Sequence, residues 1–167
     1  MKYRFEHEFP CDRETLIRTM FEKGVGEKLL PLMQGMIEAE TLSWEERAGR
    51  ITRRVRYLPE PSIKSVGPKK VEPRYMEWIE ESELDQKRGV ATYRNIPKIP
   101  QIADLLKNHG EIEFVQVSPT RCKRVLSGEL KVQVFLLGAV AERIIHGEAK
   151  TLVDREADAL KKLIASR

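Results

Sequence analysis

Few side chains in this 167-residue chain have the type and spacing for chemistry. His7 alternates with Tyr3, Phe5 and Phe9, so its imidazole would sit on an apolar strand face. There it would contact a ligand or pass a proton, or it would be a hydrogen-bonded core histidine. The second reading is preferred, because no partner stands nearby in the sequence. Glu142 and His146 are four apart, which on a helix would let them share a metal ion. No third ligand follows at a recognisable spacing, so a surface pair is expected. His109, between Asn108 and Gly110, reads as an exposed loop residue.

Arg53 interrupts a face that carries Ile51, Val55 and Tyr57. Turned inward, it needs a buried carboxylate or an anionic headgroup, because an unpaired buried charge is very costly. At a strand edge it would reach water along its own stem. Arg94, between Thr92 and Ile96, raises the same question. Trp44, Tyr57, Trp78, Tyr93 and Phe114 fall in strand patterns, where they would line an apolar pocket or simply pack a core. The candidate ligand-binding residues are therefore His7, Arg53, Tyr57, Trp78, Tyr93, Arg94 and Phe114. No catalytic residue, metal ligand or cofactor is assigned.

Arg50, Arg53, Arg54 and Arg56, with Lys64, Lys69 and Lys70, make a basic region that would suit phospholipid headgroups or nucleic-acid phosphates. The preferred reading is a solvated face balanced by Glu38, Glu40, Glu45 and Glu46. No nucleic-acid partner is expected, since no RNP-type aromatic pattern or helix-turn-helix is present. The chain also lacks a P-loop, GxGxxG, GxSxG or HExxH, and no serine or cysteine has a nucleophile's sequence context.

The length predicts one domain over residues 1–167. Hydrophobic residues are 41% and charged residues 34%, a globular balance, and the net charge of +4 is the small difference between 30 basic and 26 acidic residues. No apolar leader opens the chain, and the longest apolar run, 134–141, is too short to cross a bilayer. Cys11 and Cys122 are expected to be free thiols in a reducing cytoplasm.

Lys2–Phe9 alternates as a strand, and Pro10 ends it. Asp12 is placed to cap a helix with Leu16, Ile17, Met20 and Phe21 in its apolar stripe. Gly24 and Gly26 break that helix, and Glu27–Gln34 reads as a second short one. Strands follow at Met36–Glu46, with Leu42 and Trp44 opposite Ile37 and Ala39, and at Arg50–Leu58, joined by Ala48-Gly49. Pro59, Pro61, Gly67, Pro68 and Pro73 mark a loop of the kind that forms lids or binding loops. Further strands read at Tyr75–Leu84, Gly89–Ile96, Glu111–Val117 and Arg121–Phe135, with a short helix near Gln101–Lys107. Ala139–Ser166 is a long amphipathic helix, the one element able to cover an antiparallel sheet of this size. The expected class is α+β, with a curved antiparallel sheet wrapped around that C-terminal helix and two short helices after the first strand.

This order resembles the START-like superfamily, also called SRPBCC or polyketide cyclase/Bet v 1-type, whose fold is the helix grip. The opening Lys2-Tyr3-Arg4-Phe5-Glu6-His7-Glu8-Phe9, followed by Asp12 and a helix, is similar to that superfamily's first strand and helix. The stretch from Ser127 through Gly128, Val132, Val134, Phe135 and Leu136 to Gly138, then Ala141-Glu142-Arg143-Ile144-Ile145, resembles the bacterial DUF2505-type family. Phe135 stands where that family's proline is expected. The resemblance implies a cavity between sheet and helix that binds, transports or senses a hydrophobic, lipid-like ligand, with the 59–73 loop near its mouth. The alternatives are a cyclase or aromatase using His7, Arg53, Tyr57 and Arg94, or a solidly packed regulatory module. The expected partner is a hydrophobic small molecule or lipid, with transient contact to a membrane surface. The sequence carries no signal for oligomeric state.

Overall fold

In the computed structural model, which describes residues 1–61, 64–66 and 68–167, alternation makes the first strand. In β1 (Lys2–Phe9), Phe5 and Phe9 are buried while Lys2, Arg4, Glu6 and Glu8 face solvent. Asp12 caps α1 (Arg13–Phe21), its Oδ1 accepting from the Thr15 amide at 2.9 Å. Gly24, at φ +77°, turns the chain into α2 (Val25–Leu29). Pro31 limits the next segment to one 3-10 turn, Leu30–Leu32, so the second helix is shorter than the sequence suggests.

β2 (Met36–Arg47) and β3 (Arg50–Pro59) meet at Ala48-Gly49, both with positive φ, as a tight hairpin turn requires. A small hairpin, β4 (Ser65–Val66) and β5 (Lys69–Lys70), occupies part of the stretch expected to be loop, and a 3-10 turn at Pro73–Met76 replaces the start of the strand expected at Tyr75–Leu84. Gly67 of that loop and the Lys69 side chain of the basic region lie outside the described residues. Then come β6 (Trp78–Asp85), β7 (Val90–Pro97), α3 (Pro100–Leu105), β8 (Leu106–Ser118), β9 (Arg121–Val132) and α4 (Gly138–Ala165). Seven strands form one antiparallel sheet in the order β1-β9-β8-β7-β6-β3-β2. This is the curved sheet gripping a long C-terminal helix that the element order predicts.

Three local expectations are corrected. In β2 the register slips between Met36 and Glu38 and between Thr41 and Ser43. Each extra residue resets the alternation. Ala39 and Trp44 therefore share the inward side, and Ile37 and Leu42 are exposed. His109 is exposed, but it lies within β8 opposite Arg94, not in a loop. β9 ends at Val132, three residues before Phe135, and 135–137 form a turn.

The core lies between the sheet, α1 and the C-terminal half of α4, with Leu16, Phe21, Leu84 and Leu160 fully enclosed. Each such side chain contributes roughly 1.5–3 kcal/mol by leaving water. Cys11 and Cys122 are free and buried there, their sulfurs 3.9 Å apart. Burial and the neighbouring thiol push Cys122 up to about 12, which keeps it protonated.

α4 is 28 residues, about 42 Å long. A polar clamp fastens it to the sheet. Arg124 on β9 is completely buried, and its Nη1 is 2.6 Å from Glu156 Oε2. Its Nη2 donates to the Val153 carbonyl at 3.3 Å and lies 3.4 Å from His7 Nδ1 on the paired strand. His7 Nε2 in turn meets Asp154 Oδ1 at 2.9 Å. Burial holds the His7 imidazole below its ordinary 6.5, against the opposing pull of Asp154.

Gly110 and Gly128 face each other across β8 and β9. A Cβ on Gly128 would lie 2.5 Å from the His109 carbonyl and 2.6–2.7 Å from the Tyr3 and Tyr93 hydroxyls; one on Gly110 would strike the Ser127 carbonyl. The two glycines thus leave the space through which those tyrosines cross the sheet. Gly128→Ala is expected to cost about 1–3 kcal/mol through overpacking, read as a Tm drop of about 2–4 °C per kcal/mol at this size. An unchanged melting curve would contradict the packing described.

The unfolded chain protonates His7 more readily than the fold does. Its contribution to stability is therefore complete above about pH 6.5 and declines as pH falls toward the lowered folded value. Denaturant titrations from neutral to mildly acidic pH should show a smaller loss for His7→Gln than for the parent. Parallel losses would remove the histidine from the account.

Candidate functional site

The N-terminal half of α4 does not reach the sheet as the C-terminal half does. Ala157, Ala159 and Leu160 are wholly buried, whereas Ile145, Ala149, Leu152 and Val153 are half-buried. Between that half and the sheet lies a cavity of about 310 Å³. The volume sits at the small end of the range, roughly 300–1,000 Å³, seen for small-molecule sites. Its sheet wall carries Tyr57, Trp78, Tyr93, Ile112 and Leu126, its floor Met20 and Met33, and its rim Tyr75, Met76, Pro97, Ile102 and Leu106.

A few polar groups enter this apolar wall. Glu80, Asn95, Asn108, Glu148 and Glu156 also line it. Arg53 is buried beside the cavity. Its Nη2 is 3.0 Å from Glu80 Oε1, its Nε donates to Ser82 Oγ at 3.0 Å, its Nη1 donates to the Met20 carbonyl at 2.6 Å, and its plane covers the Phe21 ring. The requirement for a buried carboxylate is thus met by Glu80, two strand positions from Trp78. Tyr57 stacks on Trp78 with centroids 5.2 Å apart. Burial first, then the charges of Glu80 and Glu156, push its phenol well above the ordinary range, against the opposing pull of Arg53. It is a protonated donor, and among the described residues its hydroxyl has no hydrogen-bond partner. Asn95 Oδ1 is buried, also without a partner among the described residues. At the other end Tyr3 donates to Asn108 Oδ1 at 2.5 Å, and the Tyr3 and Tyr93 hydroxyls are 2.6 Å apart.

Of the residues singled out in the sequence, Tyr57, Trp78 and Tyr93 come together on the cavity wall. Arg53 stands just behind it, held by Glu80. His7 belongs to the clamp. Phe114 packs edge-to-face on Phe21 in the core, 6.1 Å between centroids. Arg94 lies on the opposite, solvent face of the sheet, paired with Glu81; alternation with the inward Tyr93 puts it there. The basic strand face is neutralised: Arg56 meets Glu38, Glu40 and Glu77, and Arg54 meets Glu81. Glu142 accepts from the Val132 amide and the terminal ammonium, while His146 lies against the Phe5 ring. Among the described residues no group of three His, Cys, Asp or Glu could hold a metal, and no helix is long and apolar enough to cross a membrane.

Glu80, Asn95, Arg124 and Glu156 escaped the sequence reading. Each carried the signal that exposed Arg53, a polar side chain at an inward register. Glu80 alternates with Trp78 and Leu84, and Arg124 with Cys122 and Leu126. Glu156 interrupts the stripe of Leu152, Val153, Ala157 and Leu160.

No family model matches the chain, and no curated protein does. Solved structures match across its whole length. The TTHA0849 protein of Thermus thermophilus superposes with a TM-score of 0.69 at 17% identity, covering 99% of this chain and 98% of its own. The Zhui aromatase/cyclase of Streptomyces sp. R1128 gives 0.67 at 15%, with 100% and 94% covered. Norcoclaurine synthase of Thalictrum flavum, in complex with dopamine and hydroxybenzaldehyde, gives 0.70 at 16%, with 100% and 87% covered. At such identities the likeness speaks for the fold, and that fold is the helix grip of aromatase/cyclases and norcoclaurine synthase.

Proposed function

We propose that this chain encloses a hydrophobic small molecule bearing one polar end in the space between α4 and the sheet, as a carrier or sensor. The carrying observation is the 310 Å³ cavity itself, walled by aromatic, methionine and aliphatic side chains, with a few polar groups gathered near Tyr57, Glu80 and Asn95. An apolar ligand body would replace water against that wall, and the Tyr57 hydroxyl and Asn95 Oδ1 would receive its polar end. Norcoclaurine synthase holds dopamine and hydroxybenzaldehyde, ring-bearing molecules with polar substituents, and Zhui is an aromatase/cyclase, which supports this ligand class. The motif from Ser127 to Gly138 supports the narrower DUF2505-type kinship.

A second reading is catalysis of the cyclase kind. It is favoured by a protonated phenol, with no hydrogen-bond partner among the described residues, in an apolar cavity also lined by Glu80 and Glu156: the phenol would donate to a developing oxyanion and a carboxylate would take the proton. Tyr57→Phe would then abolish turnover while leaving ligand affinity within a few-fold.

Organic extraction of the purified protein followed by mass spectrometry is expected to yield a stoichiometric apolar molecule, and the stripped protein should take up Nile red saturably. Ala149→Trp fills the space from the helix side and is expected to weaken Nile red at least tenfold, on the order of 1.4 kcal/mol, without loss of the folded signal. A blank extract together with no saturable uptake, or uptake unaffected by Ala149→Trp, would overturn the proposal.

A further inference from the structure

Beyond Val132 the chain crosses to α4 with its apolar side chains turned outward. Phe135 is 89% exposed, Leu136 84% and Leu137 61%, and Val140 and Ile144 continue the strip along the first turns of α4. Leu136 is held at φ +61°, a left-handed conformation unfavourable for leucine, and no burial compensates it. Leu105, whose carbonyl accepts from the Gln133 amide at 2.8 Å, joins the same ridge. One exposed leucine is ordinary, but a contiguous ridge of this size marks an interaction site.

We propose that this ridge inserts into the surface of a lipid bilayer that contains anionic lipid. Its shape is that of a protruding turn with a few side chains, well short of the roughly 20–30 residues a side in a stable protein interface. Lys107, Lys131 and Arg143 lie on the same three segments, are exposed, and make no ion pair among the described residues; the acids there are Asp104 and Glu129, exposed, and Glu142, which the terminal ammonium and the Val132 amide already engage. Each cation near an anionic surface adds attraction that falls away within a Debye length. The ridge also borders the cavity. Leu105 adjoins Leu106 and Ile144 adjoins Ile145, both lining residues. An apolar ligand would then pass between bilayer and cavity without crossing water. That purpose rests on the binding function proposed above; the insertion itself does not.

Flotation with phosphatidylcholine vesicles, with and without phosphatidylglycerol, tests the proposal. The protein is expected to float with the mixed vesicles and less with the neutral ones. Phe135→Ser combined with Leu136→Asn should lower the partition at least about tenfold, since each inserted large apolar side chain is worth about that factor or more. Both sites are exposed and asparagine tolerates a left-handed backbone, so an unchanged melting curve will confirm that the variant folds. Lys131→Glu with Arg143→Glu should remove the preference for phosphatidylglycerol. Absence of flotation with either vesicle, flotation indifferent to the ridge variant, or a ridge-dependent dimer in place of flotation would each overturn it. Nile red uptake without vesicles separates the two proposals. Uptake without flotation overturns insertion alone, and flotation with neither uptake nor an extracted ligand overturns the binding function and leaves insertion standing.

Discussion

The architecture depends on a guanidinium with no access to water. Arg124 extends from the sheet into the protein, and a charge so placed must be matched by partners of good geometry. Glu156 and the Val153 carbonyl supply them from one turn of α4, and His7 stands alongside from β1. These contacts admit few rotations of the helix about its axis. Packing of Ala157 and Leu160 alone would tolerate more, because apolar contact has no direction. The clamp therefore decides which helix face looks at the sheet, and so which side chains look into the cavity.

The same clamp explains where the space is. Below it, small and well-fitted side chains bring α4 against α1 and the sheet. Above it, the side chains of α4 are only half-buried, the cavity lies between helix and sheet, and Ala149 offers only a methyl group to the gap. Arg53 and Glu80 perform a related task inside the sheet. Their pairing places a carboxylate on the cavity wall while its countercharge stays behind, beneath Phe21. The wall is thereby apolar in bulk and polar at one place, without a bare charge.

Much of this was legible in the residues. The alternation of β1, the Asp12 cap, the Ala48-Gly49 turn and the periodic C-terminal helix gave the class and the layer order. Arg53 stood out by interrupting an apolar face, a pattern that fits an inward guanidinium or a strand edge equally, and only the structure places it inward. What stayed hidden is non-local. The partners of His7 lie 117 and 147 positions away, and nothing in the sequence joins Arg124 to Glu156, 32 positions further on. The reversal of Ile37 and Leu42 against Trp44 depends on two register slips that no residue type announces. The cavity depends on the distance between helix and sheet, which no pattern encodes.

The slipped register of β2 bears on how the chain keeps its own company. β2 is an outermost strand, and an outermost strand offers unpaired amides and carbonyls to any other extended chain. Two bulges break the regular spacing of those groups, and Glu45 and Glu46, which make no ion pair among the described residues, add negative charge at the strand's far end. A second copy approaching edge to edge would meet an interrupted ladder and, at that end, like charges. Growth into fibrils or sheet-extended aggregates from this side is thus discouraged by the backbone geometry that also brings Trp44 into the core.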